Sequence, residues 1–344
     1  MSGRWVLLVV LFGCILGATD ASEGDADPLY RDCTEQCQNT GSFGNNSIQH
    51  CQFSSGDVPG ENTFMKTQLY SLHLKWKQWK CRSFCQYLCM KQREMERGAL
   101  GLKAVKYHGK WPSKHVSVFQ SISIQVPVSA ALSALTLVVQ FYGWLSFFRL
   151  VYYKLERRPQ SRRPYYEFTG LWHIYGLLSM NAWFWNAIFH IWNSDVTEKL
   201  NQSSAVALLG YSLILAILRT FNVKGEAQRV TAAAPLLAFV TTHILYLNFY
   251  KFDHGLNMKV CIIMDIAQAI LWVVWAAVTR PPSWFKLWTV MLGGILVMLL
   301  EEFPSSKGYV DLRHAAAIPL AYLWWNFVKK DAETRTSAIT KKRR

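Results

Sequence analysis

Residues Val126–Phe148 read VPVSAALSALTLVVQFYGWLSFF, 23 positions without a charge. A hydrocarbon core about 30 Å thick takes roughly 20 helical residues to cross. Only helices or closed barrels cross it with every backbone polar group paired, and this run is too long and too continuously apolar for a barrel strand. Six more predominantly apolar stretches follow: Thr169–Ile191, Ser204–Asn222, Thr231–Tyr250, Lys259–Val278, Leu287–Phe303 and His314–Val328. The last two are the shortest and most interrupted. The reading is an all-α membrane protein, a seven-transmembrane helical bundle over 126–328 with an N-terminal cysteine-rich lumenal domain.

The beginning of the chain reads as a signal peptide over 1–21. Arg4 supplies the positive start, Trp5–Leu16 the apolar run, and the small residues Ala18–Ala21 a cleavage site. Residues 22–125 then lie in the secretory lumen and hold six of the eight cysteines: Cys33, Cys37, Cys51, Cys81, Cys85 and Cys89. An even count in an oxidising compartment argues for disulfides. The spacing Cys81-x3-Cys85-x3-Cys89 puts three sulfurs on one face of a helix, so they pair more naturally with Cys33, Cys37 and Cys51 than with one another. A zinc site is the competing reading. Asn45-Asn46-Ser47 is a glycosylation sequon in the same segment.

The formal net charge of +15 is distributed in a way that excludes nucleic acid as the partner. Lys154, Arg157, Arg158, Arg162 and Arg163 gather in the loop after the first span. Lys329, Lys330, Lys341, Lys342, Arg343 and Arg344 gather in a basic tail, 329–344, after the seventh. Both face the cytosol if the cysteine-rich segment is lumenal, as the positive-inside rule requires. Lys341 and Lys342 also fit a dilysine retrieval signal, read by a receptor. They point to a multi-pass protein of the endoplasmic reticulum or Golgi membrane, with its C-terminus cytosolic.

Ionisable residues inside spans are costly, and each is a functional candidate. His190 lies at the lumenal end of the second span, with Asn186 one turn deeper on the same face. His314 opens the seventh span at the same depth. His243, Asp265, Glu301 and Glu302 are the other intrusions. The plain readings are an interfacial histidine, as for His173 at the cytosolic boundary, and for Asp265 a hydrogen bond between helices. The 15 tryptophans suit interfacial belts and membrane cores, and Gly293-Gly294 suits close helix packing. No Gly-rich phosphate loop, nucleophile elbow or His-Glu-x-x-His appears.

Several stretches together carry a resemblance: Tyr30-Arg31-Asp32-Cys33, the Cys81/Cys85/Cys89 cluster, Tyr107-His108-Gly109-Lys110-Trp111-Pro112, Asn181-Ala182-Trp183-Phe184-Trp185, Asp195-Val196-Thr197-Glu198-Lys199 and Ala317-Ile318-Pro319. From about Tyr30 to Lys342 the sequence resembles a plant-type member of the post-GPI attachment to proteins factor 3 family. That family falls within the seven-span superfamily of alkaline ceramidases and adiponectin-receptor-like hydrolases. The resemblance implies removal of the unsaturated sn-2 fatty acid from GPI phosphatidylinositol, a phospholipase A2-type ester hydrolysis on GPI-anchored proteins and their lipid. It also implies Zn2+ as cofactor, held by three histidines, with a serine and an aspartate orienting the water.

Carried over residue by residue, the implied metal ligands are His190 and His314. The third histidine's position is Val310, the serine's is Asn186 and the aspartate's is Asn201. An amide is not a general base, so Asn186 and Asn201 are degenerate catalytic positions. Glu301, Glu302 and Asp311 are the oxygen donors available as substitutes. Three readings follow: a zinc-assisted remodelling hydrolase, a catalytically degenerate paralogue that binds GPI-lipid or a remodelling partner, and a seven-span receptor.

Overall fold

The computed structural model describes residues 23–44, 46–47, 51, 64–105, 107, 116–119, 122–124, 127–156, 164–192, 195–250, 254–299 and 309–341. The signal segment 1–21, Asn45, Glu301, Glu302 and Lys342 lie outside them, as does the side chain of Asp311. The chain divides into two compact units, Asp20–Ser113 and a second unit that contains Lys114–Arg344.

After a single helical turn, Glu23–Ala26, the first unit is built on two helices, α1 (Pro28–Thr40) and α2 (Phe64–Ala99), with a minimal hairpin, β1 (Ser42–Phe43) and β2 (Asn46–Ser47), after α1. Asp27 starts α1: its carboxylate accepts from the Leu29 N–H at 3.1 Å, and Pro28, which lacks an N–H, occupies the first turn. Gly41 ends the helix in the left-handed region, φ 65°, donating to the Cys37 carbonyl. A side chain here would also crowd Cys51, whose carbonyl lies 3.2 Å from where a Cβ would sit.

Disulfides Cys33–Cys89 and Cys37–Cys85 join the two helices, and Cys51–Cys81 ties the following loop to α2. One sequence ascends by four while its partner descends by four, as antiparallel helices with cysteines on facing stripes require. The cross-pairing expected from the spacing is therefore what forms. The Cys51, Cys81 and Cys85 sulfurs do lie within 4.8 Å of one another. Each is already bonded to another cysteine, so the zinc reading of this cluster fails for want of thiolates. Around the bridges close Tyr30, Val105 and Tyr107, with the two tyrosine rings 4.8 Å apart. Two of the motif tyrosines are thus packing residues of a small, disulfide-dependent core.

The second unit opens with an antiparallel hairpin, β3 (Val116–Phe119) and β4 (Ile122–Ile124). Seven helices follow: α3 (Pro127–Arg149), α4 (Thr169–Ile191), α5 (Asp195–Thr220), α6 (Glu226–Leu245), α7 (His254–Thr279), α8 (Trp284–Leu299) and α9 (Tyr309–Lys341). Single π-helical turns extend α3 to Lys154 and α6 to Tyr250. Each helix coincides with one of the seven apolar stretches. Four of them, α3, α5, α6 and α7 with their extensions, are long and apolar enough to cross a membrane by length and composition. The others fall short for visible reasons: α4 is rich in polar aromatics, α8 has 16 residues, and the second half of α9 is charged. This is a helical multi-pass membrane protein.

Neighbouring helices close a ring, α3–α4–α5–α7–α8–α9 and back to α3, while α6 packs on the outside of α5. Gly143 lets the Trp325 indole lie directly on the α3 backbone, and Gly293 admits Leu320. Gly294, by contrast, faces open space, so only half of the Gly293-Gly294 pair packs closely.

α6, α7 and α9 each start five residues earlier than expected, at Glu226, His254 and Tyr309, and α8 starts three earlier, at Trp284. Two further differences bear on the polar networks. α5 starts at Asp195 rather than Ser204, which brings Asn201 onto the helix. α9 runs on through the stretch read as a basic tail, burying Asp331, Ala332 and Thr336. Asp331 receives two hydrogen bonds from the Arg219 guanidinium and one from the Tyr166 hydroxyl at 2.6 Å, and Trp172 donates to that hydroxyl at 2.9 Å. The Trp275 ring covers the guanidinium, 4.7 Å away. Aromatic side chains fill this end of the bundle, including Phe147, Phe168, Trp172, Trp272, Trp324 and Phe327.

Candidate functional site

The other end of the bundle is built differently. His190 occupies the last turn of α4 and His314 the second turn of α9, both buried, at 9% and 3% exposure. Their Nε2 atoms are 3.1 Å apart, with ring planes inclined at 82°. Two sequence positions 124 residues apart thus meet nitrogen to nitrogen. A neutral imidazole offers one N–H and one lone pair. Facing nitrogens at this distance therefore hold one proton, or a cation, between them.

Asn186, one turn before His190, places its Oδ1 3.2 Å from His314 Nε2. Its amide nitrogen reaches towards Asn201 Oδ1 at 3.4 Å, a long hydrogen bond. On the remaining side lies Ser133 of α3, fully buried, its hydroxyl 2.7 Å from both Asn186 Oδ1 and the Ser129 carbonyl. A hydroxyl has one hydrogen and donates to one of these at a time. Four helices thus contribute to one buried polar cluster. The Trp183 ring stands edge-on to His314, centroids 6.4 Å apart, and forms part of its wall.

Ser133 was not among the sequence candidates. Its signal was present, because Ser129 and Ser133 are four residues apart and share one face of an uncharged span. A serine carries no charge, and its hydroxyl can return its hydrogen bond to its own helix, so it costs a span little and stands out little from its neighbours.

The remaining candidates lie elsewhere. His243 is buried and paired with Asn257 Oδ1 at 3.1 Å, and Asn257 continues to Gln202 and His254, a polar chain separate from the histidine pair. Asp265 receives its hydrogen bond from Gln268, one turn along its own helix, and not from a neighbouring helix as expected. His173 accepts from the Trp144 indole at 3.1 Å among Phe147, Phe148 and Tyr152, which makes it a packing residue. Among the described residues no carboxylate joins the cluster. Of the proposed substitutes, Glu301 and Glu302 lie outside the described residues; Asp311 opens α9 three positions before His314, its side chain likewise outside them.

The donor geometry suits a metal in two positions. Zinc bound by imidazole nitrogens at about 2.0–2.1 Å in a tetrahedron separates two such nitrogens by about 3.3 Å, close to the 3.1 Å seen. Among the described residues, a further donor near the pair is the neutral Asn186 Oδ1, 3.2 Å from His314 Nε2, a poorer zinc ligand than nitrogen, thiolate or carboxylate.

A family model described as the Per1-like family matches residues 71–332, from α2 to α9. The chain is 29% identical to the Homo sapiens "GPI-specific phospholipase A2-like PGAP3" over 339 residues, covering 96% of each chain. It is 28% identical to the Danio rerio protein of the same description over 319 residues, 91% of each. It is also 28% identical to the Drosophila melanogaster "Post-GPI attachment to proteins factor 3" over 329 residues, 94% of this chain and 93% of that one. No solved structure matches. With three quarters of its length inside the family model, this chain belongs to the Per1-like family.

Proposed function

We propose that this chain remodels the lipid of GPI-anchored proteins in an early secretory membrane, by hydrolysis of the sn-2 ester of GPI phosphatidylinositol. The meeting of His190 and His314 at 3.1 Å, inside a buried polar cluster, carries this reading. The relatives' descriptions supply the substrate class. In the proposed orientation the histidine pair lies on the lumenal side, where glycosylated anchors reside.

The chemistry divides among the residues in the cluster. His190 and His314 hold the cation or proton that sits between them, and they are its proton-accepting side chains among the described residues. Asn186, fixed by Ser133 and by Asn201, presents an amide oxygen to that position. Neither amide takes up a proton, so both serve to orient. Zinc, when held by His190 and His314, supplies a bound water with a pKa lowered towards about 7.

A second reading has its own observation. Amides replace the hydroxyl and carboxylate that the resemblance implies, which favours a paralogue that binds GPI-lipid without turnover. The two separate in a remodelling-deficient cell, scored by the sn-2 chain on GPI-anchored proteins. The hydrolase restores loss of the unsaturated chain, and His190→Ala or His314→Ala abolishes the rescue. If the wild-type chain reaches the membrane and no unsaturated chain is lost, the hydrolase reading is wrong.

A further inference from the structure

A cavity of about 700 Å³ lies between α3, α8 and α9, at the end of the bundle away from the histidines. Fifteen residues of α9 separate His314 from Lys329, a rise of about 22 Å, so cavity and histidine pair occupy opposite faces of the membrane unit. Arg149, Lys154, Lys286, Lys329 and Lys330 line the cavity against a single carboxylate, Glu333. Glu333 is already engaged by Lys330 at 3.2 Å, and Lys329 donates to the Ser146 hydroxyl at 3.1 Å. Among the described residues Arg149, Lys154 and Lys286 have no ion-pair or hydrogen-bond partner.

The positive-inside rule accounts for basic residues near cytosolic helix ends. It gives no reason for side chains from three separate helices to face one hollow with so little counter-charge. Tyr142, Ser146 and Asn326 add hydroxyl and amide groups to the lining. Beside the cavity runs a smaller hollow of about 430 Å³ to which Phe148 and Tyr153 belong, and which shares Leu145, Arg149 and Lys154 with it. A polyanionic head fits the first and an acyl chain the second.

We propose that this cavity binds the phosphorylated head group of an anionic phospholipid from the leaflet opposite the histidine pair. Basic pockets between membrane helices bind such head groups, and the greasy annex selects a lipid over a soluble phosphate. In the orientation proposed above the leaflet is cytosolic. The binding does not depend on that orientation or on hydrolysis, so its failure and the failure of the remodelling reading are distinct results.

The test titrates the purified full chain with dioctanoyl phosphatidylinositol 4-phosphate, dioctanoyl phosphatidylcholine and soluble inositol trisphosphate. Saturable binding of the first, with the other two much weaker, is expected. Each Lys or Arg near an anionic membrane surface is worth about fivefold in affinity, so K286Q/K329Q should weaken the anionic lipid by roughly thirtyfold. E333Q, which removes the one carboxylate, should tighten it, and that gain cannot come from damaged folding. K224Q/K341Q, an equal charge change outside the cavity, should bind as wild type. Phosphatidylcholine binding as tightly, or K286Q/K329Q and E333Q both matching wild type, overturns the site. Equal affinity for inositol trisphosphate overturns the assignment to a lipid.

Discussion

The two ends of the seven-helix unit solve opposite problems with similar materials. At one end Arg219, Asp331, Tyr166 and Trp172 form a closed network, each charge met by its opposite and sealed by tryptophan and phenylalanine rings. At the other, two imidazoles face each other with amides and a hydroxyl around them, and among the described residues no carboxylate balances them. The first arrangement holds helices together. The second leaves a position that only a proton or a cation satisfies. The contrast marks the histidine end as the place for chemistry and the ion-pair end as the anchor that secures the C-terminal half of α9.

Breaking the anchor should give the largest effect. Asp331 and Arg219 are buried, with side chains 5% and 7% exposed, and removing one partner of such a pair costs about 3–5 kcal/mol. Asp331→Asn should lower the thermal midpoint of the purified protein markedly, and a double replacement by Leu and Met should recover most of the loss. If D331N melts like wild type, the ion-pair end is not what secures α9.

His190→Ala and His314→Ala should leave the thermal midpoint much closer to wild type than D331N does, while abolishing remodelling in cells. Reversal of those two patterns would erase the distinction between the ends.

Ser133→Ala is a smaller probe. It removes a hydrogen bond worth about 1 kcal/mol and leaves the Asn186 amide held only by Asn201 and His314 among the described residues. On the proposed zinc reading Ser133 is an outer partner of the metal, and losing such a partner typically costs about 10–100-fold in affinity or activity. Turnover should fall accordingly, with little change in melting. Activity equal to wild type would remove Ser133 from the site.

The least effect belongs to a similar pair set partly in water. Arg93 donates to Asp27 at 2.9 and 3.1 Å at the start of α1. Burial pushes the Asp27 carboxyl up, but the bonds from Arg93 and Leu29 and the Arg93 charge outweigh it and leave it below its ordinary value. A carboxylate lowered in the folded state contributes stability above its unfolded value, near pH 4, and loses it as pH falls through the folded value. Hydrogen exchange in the first turn of α1, corrected for intrinsic rates, should therefore speed up below about pH 4, and Asp27→Asn should flatten that dependence. The whole effect should stay within about 1 kcal/mol, as for partly exposed pairs.

The contrast also separates what the residues announced from what they concealed. Long, mainly apolar runs with few charges marked all seven helices, because lipid demands continuous apolar surface. The four-residue cysteine spacing announced the cross-pairing, because it repeats once per helical turn. His190 and His314 were legible as partners from depth alone. Asp331 was hidden in a stretch whose many charges read as solvated, although the buried side chains Phe327, Val328, Asp331, Ala332 and Thr336 continue one face of α9. Asn201 was placed by a polar helix start that an apolar window does not detect. Ser133 was hidden by being uncharged.

Zinc titration of the full-length protein by calorimetry probes the histidine end most directly. One zinc per chain should bind to the wild type, and either His190→Ala or His314→Ala alone should remove it, since both nitrogens face one position. Zinc retained at full stoichiometry in either single variant would mean that the two imidazoles do not share a site.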